Sequence, residues 1–360
     1  MRAILVAASV SLMLSLVGTP LLIRFLRRRG YGQLIREDGP QAHMIKRGTP
    51  TMGGTAIIGA AVVGYLVATL TIGPRYSAGG LLAMATFTGM GLVGFLDDYI
   101  KLRRKRNLGL SKTAKFGGQA VVAIVFAVAA QYVADSATSL SFIGPLDFDF
   151  GPFFVVWAFL ILASATNGVN LTDGLDGLAA GTSGLLFGAY TIIAFWIFRH
   201  GTAESTAGGI IPATFVGDYS LEAWLHSDGL AIAAAAAMGA CLGFLWWNAP
   251  PAKIFMGDTG SLAIGGMVAA LAVLTETELL LVIMAGLFVV ETLSVIMQVA
   301  GFRLFRRRPF KMAPLHHHFE LIGWHETTVI VRFWIIGGLA VFFGLGLFYA
   351  EYLARTGVAS

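Results

Sequence analysis

The residues best suited to chemistry are acids set beside apolar runs of membrane length. The segment Asn170-Leu171-Thr172-Asp173-Gly174-Leu175-Asp176-Gly177 puts two carboxylates between two such runs. If the segment is helical, Asn170, Asp173 and Asp176 recur at three-residue steps and project from one side. A carboxylate at a membrane edge is costly to desolvate unless a cation, a proton or a substrate compensates it. A second cluster, Asp97-Asp98-Tyr99, ends another apolar run and is followed by Lys101, a basic stretch through Arg106, Lys112 and Lys115. Paired acids there can bind a metal, accept a proton or solvate a helix end. A third acid, Asp258, lies in Gly257-Asp258-Thr259-Gly260-Ser261, shortly after Asn248 and Phe255. It could cap the helix that follows or join the other acids.

The elements that must position these acids are transmembrane helices. The chain has 56% hydrophobic and only 12% charged residues, with a mean hydropathy of +0.76, whereas about a quarter of an ordinary soluble domain is charged. Runs of about 20 apolar residues, enough to cross a hydrocarbon core about 30 Å thick, recur throughout. Ten spans are predicted, near residues 3–23, 52–71, 79–96, 116–133, 152–166, 177–197, 229–247, 260–275, 278–302 and 331–350. The fifth and eighth are short, and the ninth is long enough to break or bend. This predicts an all-α polytopic membrane protein with a single domain over 1–360. Basic residues concentrate on the cytoplasmic side. With the amino terminus outside, all of the 25 lysines and arginines except Arg2, Arg75, Arg199 and Arg355 fall in or beside alternate loops. Those cytoplasmic loops lie near 24–51, 97–115, 167–176, 248–259 and 303–330, and ten spans return the carboxyl terminus to the outside. All five aspartates then share the cytoplasmic face. The first run follows a single arginine and lacks a small-residue cleavage site, so it reads as a retained helix.

Several chemistries are excluded. Cys241 is the only cysteine, which rules out an intrachain disulfide and a cysteine-built zinc site. Gly89, Gly91 and Gly94 match a dinucleotide fingerprint in spacing alone, because they lie inside an apolar helix and not between a strand and a helix. No nucleotide-triphosphate loop occurs. The twelfth position from Asp173 is Gly184, where a calcium hand needs glutamate. In Pro314-Leu315-His316-His317-His318-Phe319-Glu320 the three consecutive histidines cannot all reach one metal, so they suit hydrogen bonding to phosphate or sugar better than zinc. Glu291 is a further buried acid. What remains is phosphoryl chemistry on magnesium, which prefers oxygen ligands and binds one or two carboxylates together with substrate phosphates. The polar loop ending in Lys46-Arg47-Gly48-Thr49-Pro50-Thr51-Met52-Gly53-Gly54 suits an anion at a helix mouth. The basic loops also meet the headgroups of membrane lipids.

The ordered set Lys46 to Gly54, Gly94 to Tyr99, Asn167 to Gly177, Phe255 to Ser261 and Pro314 to Glu320 closely resembles the phospho-N-acetylmuramoyl-pentapeptide transferases. That family lies within the polyprenyl-phosphate N-acetylhexosamine-1-phosphate transferases. The resemblance runs over essentially the whole chain, and its histidine motif and Gly-Thr-Pro-Thr-Met-Gly-Gly stretch look specific to the muramoyl-pentapeptide branch. It implies a ten-helix enzyme of the bacterial cytoplasmic membrane, a homodimer with a cytoplasmic cleft and no nucleic-acid partner. The implied reaction is transfer of phospho-MurNAc-pentapeptide from UDP-MurNAc-pentapeptide to undecaprenyl phosphate, giving lipid I and UMP with Mg2+. By resemblance, Asp258 is the principal magnesium ligand, Asp97 and Asp98 meet the lipid phosphate, and one of that pair is the base. Lys46, Thr51, Asn170, Asp173, Asp176 and Phe255 form the nucleoside and sugar set, with Lys101, Lys115, Asn167, Asn248, His316, His317 and His318 near it. Direct attack by the lipid phosphate is favoured over a covalent intermediate, because a phosphate is already a competent nucleophile. The competing reading is an ion-coupled transporter, which would hold its acids at broken helices near the midplane; a scaffold would need none of them.

Overall fold

The computed structural model describes residues 1–30, 48–72, 77–104, 109–134, 136–208 and 221–356. Its ten long apolar helices, each able to cross a membrane, bear out the predicted spans. In chain order these are α1 (Arg2–Arg28), α2 (Gly54–Thr71), α3 (Ala78–Arg104), α4 (Lys112–Tyr132), α5 (Phe154–Thr172), α6 (Leu178–Gly208), α7 (Leu221–Asn248) and α8 (Gly257–Leu274), followed by α10 (Gly286–Phe305) and α12 (Glu326–Thr356). Two seven-residue helices, α9 (Glu278–Met284) and α11 (Leu315–Leu321), complete the set. The ninth run does break, at Ala285 before Gly286, separating α9 from α10. A glycine at that point weakens helix continuity. The departure from an all-helical chain is a short antiparallel hairpin, β1 (Ser139–Ser141) with β2 (Pro145–Asp149). It falls in the loop between the fourth and fifth predicted spans.

Burial separates the centre from the periphery. In α8, 89% of the apolar window is buried, against 22% in α1. A helix that is apolar all round belongs inside a bundle, and α3, α5 and α2 surround α8. Small residues let these helices meet at backbone distance. A Cβ on Gly94 would collide with the Asp258 carbonyl, and one on Gly54 would collide with the backbone of Gly260. At the periphery, α1 buries Ala3, Ala7, Ser11, Ser15, Thr19 and Ile23, a small residue at nearly every fourth position. That four-residue row packs on α7 and α2, while Leu5, Met13, Val17, Leu21 and Phe25 are left exposed, as lipid-facing side chains must be.

Helix length sets the depth of the acids. Asp97 lies nineteen residues after Ala78 in α3, about 28 Å along the axis at 1.5 Å per residue. That is the thickness of a hydrocarbon core. The carboxylates therefore stand at one end of the bundle and not at its midplane.

Candidate active site

Six helix ends build the site. The last two turns of α3 bring Asp97 and Asp98 and the last turn of α5 brings Asn170; the first turns of α4 and α8 bring Lys115 and Asp258. The end of α7 and the start of α6 close it through Asn248 and Gly177. Among the described residues, Asp97, Asp98 and Asp258 form the metal-capable cluster, with one ligand atom from each lying within 4.8 Å of the others.

Lys101 sits where these acids converge. Its Nζ lies 2.5 Å from Asp97 Oδ2, 2.8 Å from Asp258 Oδ2 and 3.7 Å from Asp98 Oδ1. Lys115 Nζ donates to the same Asp258 Oδ2 at 2.7 Å. The other Asp258 oxygen, Oδ1, accepts from Asn170 Nδ2 at 2.6 Å, and the same Asn170 amide lies 2.8 Å from Ser261 Oγ. Asp258 is thus held by two cations and an amide, and a first-turn carboxylate also gains from the helix dipole.

Asp98 has a different environment. It is only 3% exposed. Its Oδ2 accepts from the Thr259 amide at 2.9 Å and from Thr259 Oγ1 at 2.7 Å, and its Oδ1 faces the Asp258 amide at 3.3 Å. Asp98 therefore caps α8 from another helix, satisfying amides that a helix start leaves without partners. This contact requires Gly257, whose φ of +74° is in the left-handed region that glycine tolerates. A Cβ there would stand 2.6 Å from Asp98 Oδ2 and 2.9 Å from Thr51 Oγ1, which places the Thr51 hydroxyl beside the cluster. The Pro50 to Gly54 segment is fixed by backbone bonds from the Phe255 amide to Pro50 O at 2.8 Å and from the Gly53 amide to Phe255 O at 2.9 Å. Asp97 Oδ1 accepts from the Leu110 amide at 2.8 Å, tying the next loop to the acids.

Helix α5 stops at Thr172 and Asp173 is its C-cap residue, so the helical face drawn through Asp176 is not formed. The chain turns from Asp173 to Gly177. Loss of solvation and the charges of Asp258 and Asp98 raise the Asp173 carboxyl well above the usual carboxylate range, against a hydrogen bond from the Gly257 amide. Asp173 thus joins the cluster as a partly buried acid biased toward its neutral form. Asp176 instead accepts from the Ala252 amide at 2.9 Å, and its own amide meets Glu326 Oε1 at 3.3 Å. Asn248 is also spent on loops: its Oδ1 accepts from the Gly177 amide at 3.1 Å, and its Nδ2 donates to Ile254 O at 2.9 Å. Asn167 is exposed and donates back to Ala163 O of its own helix at 2.7 Å, away from the acids. Lys46 lies outside the described residues.

The three histidines meet different partners. His316 is fully buried with Nδ1 3.1 Å from Glu291 Oε1, and Glu291 Oε2 accepts from the Leu315 amide at 2.7 Å. The other edge of the His316 ring abuts Gly174, in the turn that carries Asp173 and Asp176. His317 Nδ1 pairs with Glu320 Oε2 at 2.7 Å, and His318 Nδ1 accepts from the Lys311 amide at 3.1 Å. Sequence reasoning gave no role to Thr259, Ser261 or Glu326. Thr259 and Ser261 stand inside the quoted Gly257 to Ser261 motif and Glu326 follows the histidine motif, but their hydroxyl and carboxylate contacts cross between elements far apart in the chain.

The chain is similar to known proteins over its full length. The glycosyl transferase family 4 model matches residues 80–276, and the phospho-N-acetylmuramoyl-pentapeptide-transferase signature 1 matches residues 46–58. A phospho-N-acetylmuramoyl-pentapeptide-transferase of Frankia casuarinae is 56% identical, covering 99% of this chain and 100% of the relative. Relatives of the same name from Streptomyces griseus and Cutibacterium acnes are 53% and 49% identical, each covering at least 98% of both chains. With the carboxylate cluster, the signature and similarity along its full length, the chain belongs to the phospho-N-acetylmuramoyl-pentapeptide-transferase family.

Proposed function

We propose that this protein transfers phospho-MurNAc-pentapeptide from UDP-MurNAc-pentapeptide to undecaprenyl phosphate, releasing UMP and forming lipid I in the bacterial cytoplasmic membrane. The observation that carries the reading is a three-aspartate, two-lysine cluster at the end of a transmembrane bundle. Headgroup depth is where a lipid phosphate and a water-soluble nucleotide can meet. The basic-loop asymmetry supports a cytoplasmic position for this end, with both termini opposite. The family resemblance further implies a homodimer.

The donor set fits Mg2+. It is made of carboxylate oxygens, and the Lys101 ammonium already marks the point where three of them favour a cation. Asp258, Asp97 and Asp98 would hold the ion, with Asp258 as principal ligand, and when bound it would neutralise charge on the diphosphate. Lys101 and Lys115 neutralise the remaining phosphate oxygens and orient the donor. An oxygen of the lipid phosphate forms a bond to the β-phosphorus, the bond from that phosphorus to the bridging oxygen breaks, and UMP carries away the electron pair. One of Asp97 and Asp98 is the base: both oxygens of each are in contacts, those of Asp97 with the Leu110 amide and the Lys101 ammonium, those of Asp98 with the start of α8. Asp173, biased toward its neutral form, can donate a hydrogen bond to the uridine or sugar. Asp176, Asn248 and His316 hold the loops around that pocket, with Thr51, Asn170 and Phe255 along its wall; Asn167, His317, His318 and Lys46 complete the nucleotide side.

The test is purified protein with UDP-MurNAc-pentapeptide, undecaprenyl phosphate and Mg2+. Release of UMP that requires the lipid acceptor supports the assignment; its absence under these conditions overturns it.

A further inference from the structure

Helices α1 and α7 leave between them a cleft of about 460 Å³, lined by Leu16, Val17, Pro20 and Leu21, by Trp246 and Trp247, and at one end by Arg24. Its origin is local. Pro20 lies inside α1 and has no N–H, so the Leu16 carbonyl loses its partner four residues on. The Trp247 indole N–H donates to that carbonyl at 2.8 Å. An otherwise unpaired polar group in apolar surroundings is thereby satisfied, and the second indole, Trp246, is left 74% exposed at the end of α7.

The cleft has an apolar body and a cationic mouth. From Leu16 to Arg24 it runs about 12 Å along α1, which fits within one leaflet, about 15 Å of the hydrocarbon core. Exposed tryptophan belongs at the headgroup boundary. Arg24 is exposed, and among the described residues it makes no ion pair and no acid lines the cleft. The Lys253 ammonium lies 5.0 Å from the Trp247 ring centroid, adding a second cation at this end.

We infer that the α1–α7 cleft binds one anionic membrane phospholipid, with an acyl chain along Pro20 and Trp246 and its phosphate on Arg24. The lipid substrate is a poorer occupant, since none of α3, α5 and α8, which carry the acids, lines the cleft. A second copy is poorer too, because an isologous contact would set Arg24 and the nearby Arg27 and Arg28 against themselves. The site is independent of the reaction assigned above.

Native mass spectrometry of the full chain, purified and titrated with phosphatidylglycerol or phosphatidylcholine, tests this. The expected result is retention of one phosphatidylglycerol per chain in preference to phosphatidylcholine. Arg24→Ala weakens that retention at least tenfold by removing the cation, and Val17→Trp does so by filling the cleft from an exposed position. Unchanged melting temperature and UMP release in these variants would show that the fold is intact. Equal retention of the two lipids, retention unaffected by both variants, or displacement of phosphatidylglycerol by undecaprenyl phosphate overturns the inference. So does efficient cross-linking of Val17→Cys between two copies in phosphatidylglycerol vesicles.

Discussion

Replacing Gly94 by alanine tests whether the α3–α8 contact sets the geometry of the acids. A Cβ at Gly94 would lie 2.7 Å from the Thr259 amide nitrogen and closer still to the Asp258 carbonyl, where ordinary contact begins at 3.4 Å. The obstacle is backbone, so no rotamer change relieves it. The start of α8 must retreat by roughly 0.7 Å or more, which strains the 2.9 Å and 2.7 Å bonds from Thr259 to Asp98. Overpacking of this kind costs about 1–3 kcal/mol of stability. A displacement near 1 Å at reacting groups costs about 10²-fold in rate, equivalent to about 2.7 kcal/mol of barrier. The assay is UMP release by purified Gly94→Ala beside Gly59→Ala, whose added Cβ meets nothing within 4 Å. Gly59→Ala stays near wild type, and Gly94→Ala falls by about two orders of magnitude while remaining folded. Activity of Gly94→Ala within twofold of wild type would refute the reasoning.

Three further outcomes follow from individual contacts. The Asp173 carboxyl is raised in the folded protein, so its contribution to stability is full below the unfolded value, near pH 4, and is lost as pH rises through the folded value. Melting temperatures between about pH 5 and pH 9 should therefore fall less in Asp173→Asn than in wild type; identical slopes would contradict this. Glu291→Gln and His316→Ala each disturb a fully buried pair 3.1 Å apart, and His316→Ala should cost about 2–3 kcal/mol through the cavity that it leaves in a fully buried position. A loss under about 0.3 kcal/mol in denaturant unfolding would remove the pair from the account. Trp247→Phe strips the Leu16 carbonyl of its donor and should cost a similar ~1–3 kcal/mol; unaltered stability would mean that water reaches that carbonyl.

The spans were legible because membrane length and apolarity are local properties of the sequence. The three aspartate segments were legible too, since carboxylates beside lipid-length runs need a compensating partner. What escaped reading was the division of labour among them. Asp98 caps α8 across 161 positions of chain through Thr259, a contact with no sequence period. Lys101 and Lys115 were named near the nucleotide, but their convergence on one Asp258 oxygen depends on how α3, α4 and α8 meet. Asn167 and Asn170 look equivalent in the motif, yet three residues are most of a helical turn, and only Asn170 reaches Asp258. Asp176 was grouped with Asp173 on an assumed helix. The helix ends at Thr172, and the following turn separates one acid into the cluster and the other onto the Ala252 amide. Glu291 was legible as a buried acid, but its partner His316 lies beyond the basic loop.

The central claim is that the reaction takes place at Asp258 and the acids around it. UMP release, measured as Mg2+ is titrated into wild-type protein and into Asp258→Asn with both substrates saturating, tests it most directly. The prediction is a Mg2+-dependent rate in wild type and a loss of roughly 10³-fold or more in Asp258→Asn, about 4 kcal/mol of barrier, with the fold retained. Wild-type turnover by Asp258→Asn at every Mg2+ concentration would contradict the account.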